Sequence, residues 1–266
     1  MIDPREDQAA GLRRLFRRAP PTVVALYATG RHGAHNALRA AHAIAGRGER
    51  VILLDEAPSE ASLAARLALR QGPDLLSVVD GRATPGELLQ PMPGLLGRIA
   101  TSAAALALPL LDEQRREVLL GALQQIQRHT GFMLIHADAQ AADDPSPFVY
   151  AAPRRLVVAE ASASGATEAY RLIKQLAAAG AGSLHVAVAR ARSRSDAAAF
   201  FASLEGLVRR HVGVALAWLG EVERDDLATG LAHPVAQSSP REAEHAFLHR
   251  LASLGPGAAP PRTLRR

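Results

Sequence analysis

The chain is punctuated by short apolar runs with almost no polar alternation: TVVALYA (22–28), RVILLDE (50–56), GFMLIHA (131–137), RRLVVAE (154–160), SLHVAVA (183–189) and VGVALAWLG (212–220). A strand with one face in water alternates apolar and polar residues, whereas a strand that is apolar throughout must be covered on both faces. The covers are also written in the sequence. NALRAAHAIAGRG, DEQRREVLLGALQQIQRH, GATEAYRLIKQLAAAG and DAAAFFASLEGLVRRH carry the helical period and fall between the runs. Strand and helix in repeated succession specify an α/β fold with a doubly wound, mainly parallel sheet. SEASLAARLALR reads as a further helix, a strand is expected near LLGRIAT, and REAEHAFLHRLASL closes the domain.

At 266 residues the chain suffices for one sizeable α/β domain. Its 48% hydrophobic and 21% charged residues are the balance of a chain that builds a packed core. Prolines at 20 and 21 set off a leading segment, and GPGAAPPRTLRR reads as a loose basic tail. The expected organisation is a partner-binding helix and linker over 1–21, one domain over 22–254 and a flexible tail over 255–266. The lack of cysteine excludes disulfides, thiolate catalysis and Cys-ligated zinc. MIDPREDQ lacks the apolar region of a leader and no apolar run is long enough to cross a bilayer, so a cytoplasmic location is expected. A net charge of +5 raises the question of nucleic acid. The arginines, however, are spread along helices with no interleaved aromatics to stack on bases, and no specific nucleic-acid partner is expected.

After the first strand, TGRHGAHNALRAAHAIA (29–45) has the outline of a phosphate-binding loop running into a helix. The working pattern is G-x-x-x-x-G-K-[ST], in which the lysine reaches the β/γ oxygens and the hydroxyl ligates magnesium. Laid on Gly30, the second glycine falls on His35, the lysine on Asn36 and the hydroxyl on Ala37. The single lysine of the chain, Lys174, lies in a helix far along the sequence. Ordinary ATP hydrolysis is therefore not expected. The helix N-terminus still offers free N–H groups to an anion, and Arg31, with His32 and His35 when protonated, adds charge to it. No metal site is expected: the spacing of His32, His35 and His42 matches no standard ligand set, and Asp138, Asp143 and Asp144 read as an acidic loop.

These segments resemble the MinD/ParA class of deviant-Walker ATPases over nearly the whole chain, and within it the flagellar number regulators of the FlhG/FleN subfamily. The class loop reads roughly S-G-K-G-G-V-G-K-T-N, so Thr29, Gly30 and Gly33 match, and Arg31 stands where the signature lysine reaches across an ATP dimer. The resemblance places Asp55 at the water-positioning aspartate, Ala57 at a second acidic position and His136 at the aspartate that supports magnesium. It also covers Ala169, Tyr170, Leu172, Ile173 and Lys174 of the later strand–helix unit, and puts Ala189 where an asparagine usually contacts adenine, with Arg190 retained. A vestigial nucleotide site follows, made of Gly30, Arg31, Gly33, Asn36, Ala37 and Arg190, with Arg31 and Asp55 as remnants of the catalytic set. No resident cofactor is expected; weak Mg-ATP binding with residual hydrolysis is the competing reading, and a DNA-binding positioning factor is a third.

The subfamily resemblance rests on the leading segment, where Asp7, Gln8, Ala9, Leu12 and Arg13 match a D-Q-A-x-x-L-R motif. In the family this helix engages the flagellar GTPase FlhF. Leu12, Leu15 and Phe16 share one face, and a helix this short gains stability by burying that face in a partner's groove; a cap packed on its own domain is the alternative. The resemblance thus implies a regulator of flagellar number or placement that binds FlhF or basal-body components, is monomeric or weakly dimeric without ATP between subunits, and touches the polar membrane at most peripherally.

Overall fold

The computed structural model describes residues 21–58, 60–140, 142, 145–180, 183–232 and 240–254. The leading helix expected over 7–18 and the tail over 255–266 lie outside them. β1 (Thr22–Ala28) runs into α1 (Gly33–Ala45) and β2 (Val51–Asp55). The short helices α2 (Leu63–Arg66) and α3 (Leu76–Val79) lead to β3 (Gly97–Ala100), α4 (Ser102–Ala107), a 3₁₀ turn (Leu108–Leu110) and α5 (Glu113–Gln127). Alternation continues through β4 (Phe132–His136), α6 (Pro147–Ala151), β5 (Arg154–Glu160), α7 (Ala163–Ala178), β6 (Leu184–Ala189), α8 (Arg194–His211) and β7 (Ala217–Glu221), then α9 (Leu227–Ala232) and α10 (Pro240–Ser253).

The seven strands form one sheet in the order β3-β2-β4-β1-β5-β6-β7, and every adjacent pair is parallel. Val23, Ala25 and Tyr27 of β1 pack with Phe148, Leu172 and Phe247 on one face, while Val24 and Leu26 meet Ala37 and Ile44 of α1 and Leu227 of α9 on the other. The sheet is therefore doubly wound, as the unbroken apolar runs predict. Several helices start on side-chain caps: Asp112 accepts the Arg115 N–H at 2.8 Å, Ser162 that of Gly165 at 3.1 Å and Ser193 that of Asp196 at 3.1 Å. α1 begins at His32 without such a cap. In α10, Phe247 and Leu251 are fully buried, so these apolar residues are spent on the core.

Two elements differ from expectation. The strand expected over 212–220 begins at Ala217, because Val212 still donates to the Val208 carbonyl of α8 and Gly213 then turns the chain at φ +78°. The helix expected in SEASLAARLALR is one turn long. Ala68 takes φ +51° and the Leu69 N–H returns to the Ala64 carbonyl, which closes the turn and lets Leu67 and Leu69 pack on the core. Parallel strands all end at one edge of the sheet, so the loops after β1, β2, β4 and β5 meet there, around the central strand.

Candidate functional site

A cleft of about 710 Å³ opens at that edge. Its walls are the β1–α1 loop, the segment after β2 that carries Glu60 and Arg66, residues 136–140 after β4, and Glu168 of α7. Gly30, Arg31 and Gly33 line it, with Arg31 exposed on the rim. Asn36 and Ala37, one helical turn further in, are fully buried. Among the described residues, no group of three or more His, Asp or Glu side chains is arranged to hold a metal ion.

Two carboxylates of the chain itself accept from the Gly30 and His32 N–H groups of the loop and from Asn36. Glu160, the last residue of β5 and 7% exposed, places Oε2 against three nitrogens. The His32 N–H donates to it at 3.1 Å, the Asn36 amide Nδ2 at 3.0 Å, and His32 Nδ1 lies 3.2 Å away. The Gly30 N–H donates to Glu168 Oε2 at 2.7 Å, and the Thr29 hydroxyl to the Gly165 carbonyl at 3.2 Å. Burial pushes the Glu160 carboxyl up, but the hydrogen bonds from the His32 N–H, Asn36 and the His32 ring outweigh it and hold its pKa below the usual glutamate value. Gly30 adopts φ +85°, and a Cβ there would lie 2.6 Å from Glu160 Cβ. Only glycine lets the loop close on this side chain.

Asp55, the last residue of β2, is 2% exposed and has both oxygens engaged. Oδ1 accepts the Leu63 N–H at 3.1 Å and lies 3.1 Å from His136 Nδ1. Oδ2 accepts from Arg98 Nη1 at 3.0 Å and from the Ala64 N–H at 3.3 Å. Strand register builds this knot, since Asp55 pairs with His136 of β4 on one side and Ala100 of β3 on the other. Arg98, 1% exposed, completes its coordination on the Arg70 carbonyl at 2.9 Å. Burial raises the Asp55 pKa, and the hydrogen bond and charge of His136, the Leu63 N–H and Arg98 more than reverse it, leaving the group below its ordinary value.

The structure thus brings Gly30, Arg31, Gly33 and Asn36 together around one loop, and seats Ala37 in the core beneath it. Arg190 stands apart. At φ +62° and exposed, it is not part of the cleft wall; its N–H serves Glu223, which pairs with Arg39 Nη1 of α1 at 2.7 Å. Asp7, Gln8, Ala9, Leu12, Arg13, Leu15 and Phe16 lie outside the described residues. Sequence patterns alone do not single out Glu160, Glu168 or Arg98. A charged residue closing the apolar C-terminal half of RRLVVAE was the available signal for Glu160, and an arginine inside the short strand GRIA was the signal for Arg98.

A fully parallel seven-stranded sheet whose central strand feeds a glycine-bearing loop into a helix defines the class: a doubly wound α/β fold with its cleft at the C-terminal edge of the strands. No family model matches the chain. It is 27% identical over 185 residues, 69% of this chain and 66% of the relative, to the antiactivator FleN of Pseudomonas aeruginosa. The match therefore spans just under two thirds of that protein's length. Solved structures with a similar chain path include the MinD cell division protein of Aquifex aeolicus (16% identity, 88% of this chain and 96% of that one, TM-score 0.48) and a ParA family ATPase of Chlorobium tepidum (14%, 86% and 98%, TM-score 0.48).

Proposed function

We propose that this chain regulates flagellar number or placement by binding partner proteins, without hydrolysing nucleotide. The observation that carries the reading is the saturation of Asp55: two backbone N–H groups, Arg98 and His136 occupy both of its oxygens. A carboxylate committed in this way has no acceptor left to orient an attacking water. The residues around the loop do not fit a magnesium triphosphate either. Asn36 supplies no cation and Ala37 no hydroxyl, His136 is turned to Asp55, and a carboxylate lies on the loop donors where phosphate oxygens would need to be.

The parallel sheet and its helices are stabilised by burial on both faces, so the scaffold persists without the phosphate reagents and still presents surfaces to partners. The name of the FleN relative, an antiactivator, supports a regulatory role exerted on other proteins. The contact assigned to the GTPase FlhF runs through residues 7–18, with Leu12, Leu15 and Phe16 buried in the partner and Asp7, Gln8, Ala9 and Arg13 completing the motif. The test is a pull-down with purified FlhF. Wild type is retained, and Leu12→Asp with Phe16→Asp abolishes retention; undiminished retention of that variant removes the helix from the interface.

A further inference from the structure

We propose that the β1–α1 loop is a self-liganded oxyanion site: the Glu160 carboxylate, backed by Glu168, is the anion it holds, and inorganic phosphate binds there once those two charges are removed. The inference rests on the reading that no nucleotide occupies the loop, and it names what occupies it instead.

Four observations support it. First, the His32 N–H, the Asn36 amide and His32 Nδ1 converge on a single oxygen, Glu160 Oε2, at 3.1, 3.0 and 3.2 Å, and the Gly30 N–H meets a second carboxylate at 2.7 Å. Donors from a loop and from the first turn of the following helix, focused on anionic oxygen, are what a phosphate requires. Second, the loop is shaped to this side chain. At Gly30, with φ +85°, an added Cβ would come within 2.8 Å of Glu160 Oε2, and on the other side of Glu160 an added Cβ at Gly165 of α7 would come within 2.9 Å of Glu160 Cβ.

Third, Asn36 is fully buried and aims Nδ2 at that oxygen while its Oδ1 has no partner among the described residues. A buried amide with one orphaned end is retained for the end that is used. Fourth, Glu160 ends a strand whose C-terminal half is otherwise apolar, and its ion-pair partner among the described residues is His32. A carboxylate is costly to bury unless charge-assisted hydrogen bonds compensate it, and here the loop supplies them. Two carboxylates on the donors also repel a third anion, so phosphate is excluded by occupancy and by charge together.

The experiment compares full-length wild type with Glu160→Gln/Glu168→Gln. Each is titrated with inorganic phosphate, with sodium chloride at matched ionic strength as control, by calorimetry and by thermal melting. In wild type the two salts give the same Tm and no binding heat. In the double variant phosphate raises Tm beyond chloride and binds about tenfold or more tightly than to wild type, the gain expected from removing like charge at contact distance. A destabilised variant that phosphate selectively restores supports the proposal equally. Glu160→Ser, which opens space as well as removing charge, is a second route to the same result. Variants that respond to phosphate no more than wild type overturn it, as does specific phosphate binding by wild type. Mg-ATP binding to wild type instead sinks the nucleotide-free reading, so the two failures are distinguishable.

Discussion

Asp55 and Glu160 close two strands at the same edge of the sheet, and both are nearly buried carboxylates with a histidine nearby, yet their surroundings assign them different work. Asp55 gathers Arg98 of β3, His136 of β4 and the first N–H groups of α2, so its charge holds three strands and a helix in register. Glu160 gathers only the β1–α1 loop and Asn36, and among the described residues no arginine or lysine pairs with it. One carboxylate supports the fold and the other fills a loop. On both sides of β1, carboxylates at this sheet edge are met by donors of the chain itself.

The sharpest way to break that comparison is Asp55→Asn. Removing one partner from a buried ion pair leaves Arg98 facing a neutral amide, which costs about 3–5 kcal/mol of stability in urea unfolding. A loss below about 1 kcal/mol would place Asp55 with Glu160 as a local tie. The pH dependence has a definite sign. The folded pKa of Asp55 lies below the ordinary value, so its contribution is present above about pH 4 and is lost as pH falls through the folded pKa. In Asp55→Asn that portion of the acid unfolding disappears.

Glu56, next in the chain, sharpens the contrast because it is half-buried and has Ser146 in place of the four donors that meet Asp55. Its Oε2 has no partner among the described residues, and burial pushes its pKa up to about 7 against the opposing hydrogen bond with Ser146. Between the ordinary glutamate range and pH 7 the unfolded chain releases this proton while the folded chain keeps it, so stability falls as pH rises. Glu56→Gln is expected to stabilise the protein by about 1–3 kcal/mol at pH 8, with the gain shrinking to nothing near pH 4. A gain that does not change with pH contradicts the burial of this group.

Glu160→Gln ranks next. The amide keeps the shape and one acceptor while weakening the charge-assisted bonds from His32 and Asn36, and about 1–2 kcal/mol is expected to be lost in the same unfolding measurement. A loss matching that of Asp55→Asn would make Glu160 a fold support as well. Smallest of all is Leu12→Asp with Phe16→Asp, expected to change stability by less than about 0.5 kcal/mol if the segment belongs to a partner. A larger loss by calorimetric melting favours packing on the chain's own domain.

The sheet was legible because burial on both faces writes itself as unbroken apolar runs: TVVALYA and RRLVVAE coincide with β1 and β5 to the residue. β7 was misplaced because VGVA continues the same apolar signal through a helix end and a left-handed glycine that hydropathy cannot distinguish from strand. The site was legible only as losses. Asn36, Ala37 and His136 stand out against the resembling motif, whereas the contacts these positions make depend on register between distant strands. His136 reads as a missing aspartate until β2 and β4 align it with Asp55, and Glu160 reads as a strand end until β5 brings it, 128 positions along the chain, to the N–H of His32.

The claim that the nucleotide edge has been closed from within meets its most direct test in calorimetric titration of the wild-type protein with Mg-ATP, run alongside a phosphate-release assay. The account predicts no micromolar binding and no phosphate released above the buffer rate. Micromolar binding with turnover that scales with protein and vanishes on changing Arg31 or Asp55 would contradict it.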